Sequence, residues 1–475
     1  MNVRETYLTI YGRRYQRREK KSRRRKRIIM TLVSLCAIAG MVSVIPQIPL
    51  GEVLAATKTT DTADRIAVFG NMIPGTEVQD KVAATEALIT ENDVPVIFID
   101  AGHGGADEGC ARNGIQEKTI NLAIAQLVQT QLETLGYQVV MARTGDTYIS
   151  KEERVQMANS AGADIYVSIH QNAADDSGIS GMEVWYDGSD ISRDNKRLAL
   201  LIKQQTAAST QAAERELRGD ADFHVTGNTT MPCCLIETGF LSNADERGKL
   251  VDAAYQQEIA EGIVRGIAYY FHPKTMYLTF DDGPSEENTI RVLDILKERN
   301  IKATFFLVGE NVRQHPEIAK RIVEEGHTIG IHSDSHDYEK IYANADAFLE
   351  DFEAAHQIVY EVTGVDAKFF RFPGGSVNAY NNTVREEIIE KMTEKGYIFY
   401  DWNASLEDAV KETTPEQLVA NGVDTTLGRK TVIMLAHDVV YDTGLCLNDL
   451  LDSLPEYEMR PLDENVEPIQ FARGK

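Results

Sequence analysis

Short apolar runs alternate with amphipathic stretches along most of the chain. The run over 96–100 (VIFID) closes on an acid, and the runs over 165–169 and 235–237 close on or just before a polar residue. Runs of this length, rich in β-branched residues, predict buried strands. Two more strands are predicted over 137–142 and 182–186. Ile120, Ile124, Leu127 and Leu135 fall roughly on one face of a helix opening at Glu117. Further helices are predicted near 152–161 and over 253–270. After Lys274 the rhythm resumes. Strands are predicted over 276–280, 304–308, 328–331, 369–372, 398–402 and 431–436. Helices are predicted over 288–299, 316–325, 347–363 and 383–395. Strands alternating with helices predict α/β folds, in which residues at strand ends gather into one site.

A chain of 475 residues, 43% hydrophobic and 26% charged, can bury two or three cores. Residues 1–27 carry 12 Lys and Arg against 2 Asp and Glu, a net +10, which leaves −34 for the rest of a formal −24. The acidic body excludes nucleic acid as a partner. The basic arm is followed by 18 uncharged residues, 28–45, closed by Pro46. That order is a signal peptide or a membrane anchor. Val53-Leu54-Ala55 resembles a cleavage site; the run is somewhat long for a signal peptide and, with Thr31, Ser34, Gly40 and Ser43, somewhat polar for an anchor. In either case the arm stays cytoplasmic and the remainder lies outside the cytoplasmic membrane. Residues 46–93 are polar and aperiodic, a spacer. The five cysteines show no CxxC spacing, so neither a cysteine zinc site nor a disulfide framework is expected. Domains are expected over 94–271 and 275–460, joined by His272-Pro273-Lys274, with a tail over 461–475.

The first block sets its polar residues at strand ends. His103 stands among glycines that let the backbone bend tightly and expose the ring. His170 ends a strand, Glu117 starts a helix and Glu237 ends a strand. Two histidines and a glutamate form a catalytic zinc shell with an open position. The motifs are Asp100-Ala101-Gly102-His103-Gly104-Gly105, Glu117-Lys118-Thr119-Ile120-Asn121-Leu122, Ser168-Ile169-His170-Gln171-Asn172-Ala173 and Glu237-Thr238-Gly239-Phe240-Leu241-Ser242-Asn243. In this order they resemble the zinc-dependent N-acetylmuramoyl-L-alanine amidases of the type-3 amidase family. The resemblance implies an α/β domain with a mixed sheet flanked by helices. It also implies zinc on His103, Glu117 and His170, with Glu237 as general base. Cys110 and Cys233 replace the small apolar residues more usual there.

The second block opens on Asp281-Asp282-Gly283-Pro284 at a strand end. Adjacent carboxylates repel, so one is usually neutralised by a metal while the other keeps a proton-transfer role. His332 and His336 are four apart, a spacing that on a helical turn aims both rings one way. With a carboxylate they form a zinc-type site. Arg371-Phe372-Pro373-Gly374-Gly375, Asp401-Trp402 and Leu435-Ala436-His437 follow. The ordered set resembles the polysaccharide deacetylase family, also called NodB homology or carbohydrate esterase 4. The resemblance implies a distorted (β/α) barrel. Asp282, His332 and His336 would hold Zn2+ or another divalent transition metal, and Asp281 would be the general base. Arg371 would position Asp281, His437 would be the general acid, and Asp401 would orient His437. Gly374 stands where the family often has tyrosine.

Together the resemblances imply a bifunctional, metal-dependent hydrolase of peptidoglycan. One site would cleave the amide between muramic acid and L-alanine, and the other would remove N-acetyl groups from the amino-sugar glycan. Such a protein would be extracytoplasmic, secreted or membrane-anchored, and associated with a Gram-positive wall. A deacetylase of chitin- or xylan-like chains and a wall-binding scaffold with inactive sites are the alternatives.

Overall fold

The computed structural model describes residues 94–219, 223–410 and 413–473. The expected cytoplasmic arm (1–27), signal peptide or anchor (28–45) and spacer (46–93) lie outside the described residues. No helix among the described residues is long and apolar enough to cross a membrane. The chain divides into two compact units at Lys274/Thr275.

In the first unit, β1 (Val96–Ala101), β2 (Gln138–Met141), β3 (Ile165–Asn172), β4 (Met182–Trp185), β5 (Glu214–Arg218) and β6 (Cys233–Phe240) form one sheet. Their order is β2-β1-β3-β6-β4-β5. Every neighbouring pair is parallel except β4 against β6, so the sheet is mixed. Ile97, Ile99 and Ala101 belong to a core built with α1 (Glu117–Thr134), α3 (Asn195–Thr210) and α4 (Ala253–Phe271). Phe98, Tyr166, Cys233 and Leu235 form a second core with Val155 and Ala158 of α2 (Lys151–Ser160). A sheet covered on both faces needs strands apolar on both sides, hence the continuous apolar runs. The sequence reading places no element between 187 and 232, where the structure has α3 and β5. β5 reads ERELR, too charged to signal a strand, and it lies at the sheet edge, where charge is tolerated.

The second unit contains β7 (Lys274–Asp281), β8 (Thr304–Val308), β9 (Thr328–Ser333), β10 (Phe369–Phe370), β11 (Ile398–Phe399), β12 (Ala404–Ser405), β13 (Thr431–His437) and β14 (Tyr457–Arg460). Their order is β11-β10-β9-β8-β7-β13-β12, with β14 also paired to β7. The pairs along that path are parallel. The distortion of the barrel is a gap: among the described residues β11 and β12 do not pair, so the ring stays open. Helices α5 (Asn288–Glu298), α6 (Pro316–Glu324), α7 (Ala345–Thr363), α8 (Arg385–Glu394), α9 (Pro415–Thr426) and α10 (Tyr441–Ser453) connect the strands. The sequence reading set neither α9 nor α10.

Residues 461–473, expected as part of a tail, belong to this unit. Leu462 and Val466 are buried in a cluster with Phe306, Phe369, Tyr400 and Ile433. Leu462 N donates to Thr304 Oγ1 (2.8 Å), and the Tyr400 hydroxyl donates to the Val466 carbonyl (3.0 Å). The physical reason is the shortness of β10, β11 and β12, two residues each, which cannot cover these aromatic rings alone. Leu462→Ala is expected to destabilise the second unit by about 2–5 kcal/mol through the cavity it leaves. Denaturant unfolding checks this, and an unmoved midpoint would mean that the segment is a tail after all.

Candidate functional site

The first cluster grows from the end of β1. Beyond Ala101 the chain turns through Gly102, and His103 adopts a left-handed conformation (φ 60°). A turning segment leaves carbonyls without ladder partners, and buried carbonyls must find donors. Two arginines supply them. Arg143 donates to the carbonyls of Ala101 and Gly102 (both 2.9 Å). Arg154 donates to those of Ala101 (2.9 Å) and His103 (2.8 Å). Arg154 is paired with buried Asp100, which also accepts from the hydroxyls of Tyr166 (2.6 Å) and Ser168 (2.9 Å). Neither arginine stood out in the sequence.

The turned loop brings His103 to Glu117 and His170. Glu117 Oε1 lies 3.2 Å from His103 Nε2 and 3.0 Å from His170 Nδ1. One donor atom from each of the three lies within 4.8 Å of the others. Asp107 Oδ2 lies 2.8 Å from His103 Nδ1 and so fixes which ring nitrogen faces the centre. Glu117 is pinned by the backbone N–H groups of Cys110 (2.7 Å) and Gln171 (3.1 Å) and by Asn121 Nδ2 (3.1 Å). Gly102 is obligatory, because a Cβ there would overlap the His170 ring. Burial disfavours an imidazolium at His103, yet Glu117 and then Asp107 raise its pKa to about 9. Burial likewise opposes a charged Glu117, but His103 and His170 hold it well below the usual range. A carboxylate and two imidazoles this close form a donor set that suits zinc. Glu237, in register with His170 across β3 and β6, presents a buried Oε2 without a hydrogen-bond partner. Burial, then the charges of Glu117 and Glu183 against that of His170, pushes its pKa up to about 7. A carboxylate near neutrality beside such a centre can take and return a proton.

The second cluster lies at the ends of β7, β9 and β13. Asp282 Oδ1 is 3.3 Å from His332 Nε2 and 3.2 Å from His336 Nε2. The three form the second potential donor set. The Arg371 carbonyl, 2.9 Å from His332 Nδ1, turns His332 Nε2 to the centre. The four-residue spacing is not a helical turn. His332 is the penultimate residue of β9, and His336 follows in a left-handed conformation (φ 51°). Asp351 of α7 folds that loop, accepting from Ser333 Oγ (2.7 Å), Asp334 N (2.7 Å), Ser335 N (3.1 Å) and Ser335 Oγ (2.5 Å). The sequence reading missed Asp351. Its signal was a carboxylate on an otherwise apolar helix stripe with Phe348, Phe352 and Ala355.

Arg371 is fully buried and donates to Asp281 Oδ1 (2.8 Å), Thr279 Oγ1 (2.7 Å) and the Tyr400 carbonyl (2.8 Å). The adjacent carboxylates are thereby divided, Asp281 to the guanidinium and Asp282 to the histidines. The expectation for Asp401 is overturned. Its oxygens accept from Ser376 N (2.8 Å), Ser376 Oγ (2.5 Å) and Phe471 N (2.7 Å), so it ties the 373–376 loop to the C-terminal segment. The partner of His437 is Asp408, whose Oδ1 lies 2.8 Å from Nδ1 and whose Oδ2 accepts from His437 N (2.7 Å) and Thr443 Oγ1 (2.6 Å). The reason is strand order. Asp408 follows β12, which pairs with β13, whereas Asp401 follows β11 at the other end of the sheet. Burial disfavours charge on His437, but Asp408, then Asp282 and Asp281, raise its pKa to about 10. Gly374 has φ 74°, and the Tyr338 ring occupies the space its Cβ would enter, 2.9 Å away. Tyr338 also meets His336 edge-on at 5.3 Å, so it walls the pocket.

Residues 97–269 match the N-acetylmuramoyl-L-alanine amidase family, and residues 269–393 match the polysaccharide deacetylase family. The N-acetylmuramoyl-L-alanine amidase LytC of Bacillus subtilis is 41% identical over 175 residues, 37% of this chain and 35% of LytC. The sporulation-specific N-acetylmuramoyl-L-alanine amidase of the same organism is 34% identical over 180 residues, 38% of this chain and 69% of the relative. A peptidoglycan-N-acetylglucosamine deacetylase of Bacillus cereus is 31% identical over 205 residues, 42% of this chain and 73% of the relative. The chain belongs to both families. Its first unit is an amidase domain and its second a deacetylase domain, and both families are hydrolases. The chain spans about a third of LytC.

In the deacetylase domain, Asp408→Asn is expected to lower the pKa of His437, because the carboxylate that stabilises the imidazolium is lost. Asp401→Asn should leave it in place. Histidine NMR titration separates the two, and an equal response would mean that Asp408 is not the partner that matters.

Proposed function

We propose that the chain is a bifunctional, metal-dependent peptidoglycan hydrolase. The amidase domain cleaves the amide between N-acetylmuramic acid and L-alanine, and the deacetylase domain removes N-acetyl groups from the glycan strand. One observation carries the proposal: each domain converges two imidazoles and one carboxylate, with a second carboxylate beside them. His103, Glu117 and His170 would hold Zn2+. Asp282, His332 and His336 would hold Zn2+ or another divalent transition metal. When bound, the cation supplies Lewis acidity, making an attacking water more acidic and an amide carbonyl more electrophilic.

The remaining chemistry falls to the chain's own residues. Glu237 takes the proton of the attacking water and returns it to the departing L-alanine amine, a task suited to a carboxyl of raised pKa. In the deacetylase domain Asp281 is the base. Arg371 holds its Oδ1, and Oδ2 stays on the side of the centre, 4.0 Å from His332 Nε2. His437 gives its proton to the leaving sugar amine, and Asp408 keeps its ring oriented.

The deacetylase relative is named for N-acetylglucosamine, which favours glucosamine as the deacetylated sugar. A chitin- or xylan-directed enzyme would have no use for an amidase domain, and a scaffold would not need two complete donor sets. The basic arm and the apolar run would export the chain or anchor it to the cytoplasmic membrane, which brings both sites to the wall.

Glu237→Ala is expected to keep zinc and lower amide cleavage by roughly 10²–10⁴-fold. His170→Ala should lose both. Metal analysis with mass spectrometry of digested peptidoglycan reads these outcomes, and zinc loss in Glu237→Ala would refute its role as base. Asp281→Asn should abolish deacetylation with metal retained, and Asp282→Asn should release the metal. Equal metal loss in both would reverse the division of the two carboxylates. Each knockout should leave the other activity intact, since the two donor sets share no residue.

A further inference from the structure

The amidase sheet extends the catalytic row by two residues that the chemistry above does not use. His170, Glu237 and Glu183 sit in register on β3, β6 and β4, so their side chains share one face of the sheet. On β5, Arg215 adds a fourth member, its Nε donating to Glu183 Oε1 (2.6 Å). The other Glu183 oxygen accepts from Asn172 Nδ2 (2.8 Å), so Glu183 is committed on both sides. It is buried, whereas the Arg215 side chain is 35% exposed. Nη1 makes one long hydrogen bond, 3.4 Å to the Ser180 carbonyl, and Nη2 makes none among the described residues. The guanidinium lies 5.5 Å from the centre of the Phe240 ring. The nearby Glu246 does not compete for it, because its oxygens accept from the backbone N–H groups of Gly181 (2.8 Å) and Phe240 (2.7 Å). Arg215 is therefore a preset cation with an open fork, at the catalytic end of the sheet, in a chain whose net charge beyond residue 27 is −34.

We propose that Arg215 reads the free α-carboxylate of the D-glutamate that follows L-alanine in the peptide stem. The assignment rests on the amidase reading. The span fits. β5 lies two strands from β6, about 10 Å, and the arginine reaches back across Glu183. In an extended stem the second residue's α-carboxylate lies about 7 Å beyond the scissile carbonyl. A carboxylate can accept from Nη1 and Nη2 together, whereas a carboxamide offers only one acceptor oxygen. Glu183 orients the guanidinium before substrate arrives, so little ordering remains to be done on binding.

The test uses the full-length protein and two synthetic muropeptides that differ only at the second stem residue, D-glutamate or its α-carboxamide. The unmodified protein should prefer the carboxylate by about tenfold in kcat/KM, chiefly through KM. Arg215→Gln should bring that preference close to one by lowering kcat/KM for the carboxylate substrate, and an unmoved thermal unfolding midpoint shows that the variant is folded. Arg215→Lys should keep part of the preference, as a charge without a fork. Equal kcat/KM for the two substrates with the unmodified protein, or a preference that survives Arg215→Gln, overturns the assignment. So does an equal slowing of both substrates by Arg215→Gln, which would make the arginine a structural partner of Glu183. Cleavage of neither substrate by the unmodified protein would refute the amidase reading itself, and the assignment with it.

Discussion

The guanidinium of Arg371 sits fully buried in the deacetylase domain, bonded to Asp281, Thr279 and the Tyr400 carbonyl, and the site depends on that one cation. Two neighbouring carboxylates cannot both remain charged in a dry pocket without separate partners. Arg371 takes one and the histidines take the other. The proposed base and the proposed metal ligand are therefore consecutive residues. The Arg371 carbonyl also sets the orientation of His332, so one residue fixes both halves of the site.

The amidase domain meets the same constraint with different parts. There the buried cations, Arg143 and Arg154, bind backbone rather than catalytic side chains. They hold the carbonyls of the loop that carries His103, and Asp100 balances Arg154 from the strand below. Glu237, the proposed base, makes no ion pair with an arginine or lysine among the described residues, and burial pushes its pKa up. Asp281, in contrast, is held by an arginine. The two sites resemble each other in their donor sets but differ in the surroundings of the proposed base.

Supporting carboxylates do most of the remaining positioning. Asp351 folds the His332–His336 loop, Asp408 orients His437, and Asp401 ties the loop after Arg371 to the C-terminal segment. That segment thus has a double role, since Leu462 and Val466 also complete the core. Tyr338 restores the pocket wall at a position where the chain carries only glycine. Such neighbours fix the orientation of ligands and acids, and their loss weakens a site without removing any group that reacts.

The sequence by itself determined the α/β class, most of the strands and the residues of both donor sets. Buried strands leave continuous apolar runs, and the candidate site residues stand at their ends, where polarity resumes. The edge strand 214–218 stayed hidden because its signal is charge, and 461–473 because its few apolar residues lack any period. Only the tertiary structure decided which carboxylate serves His437. Asp401 and Asp408 stand seven positions apart in the sequence and differ little there. The pairing of β12 with β13 places one of them against the imidazole, and the other faces a serine and a backbone amide. Partners across a sheet are set by strand order, which local pattern does not encode.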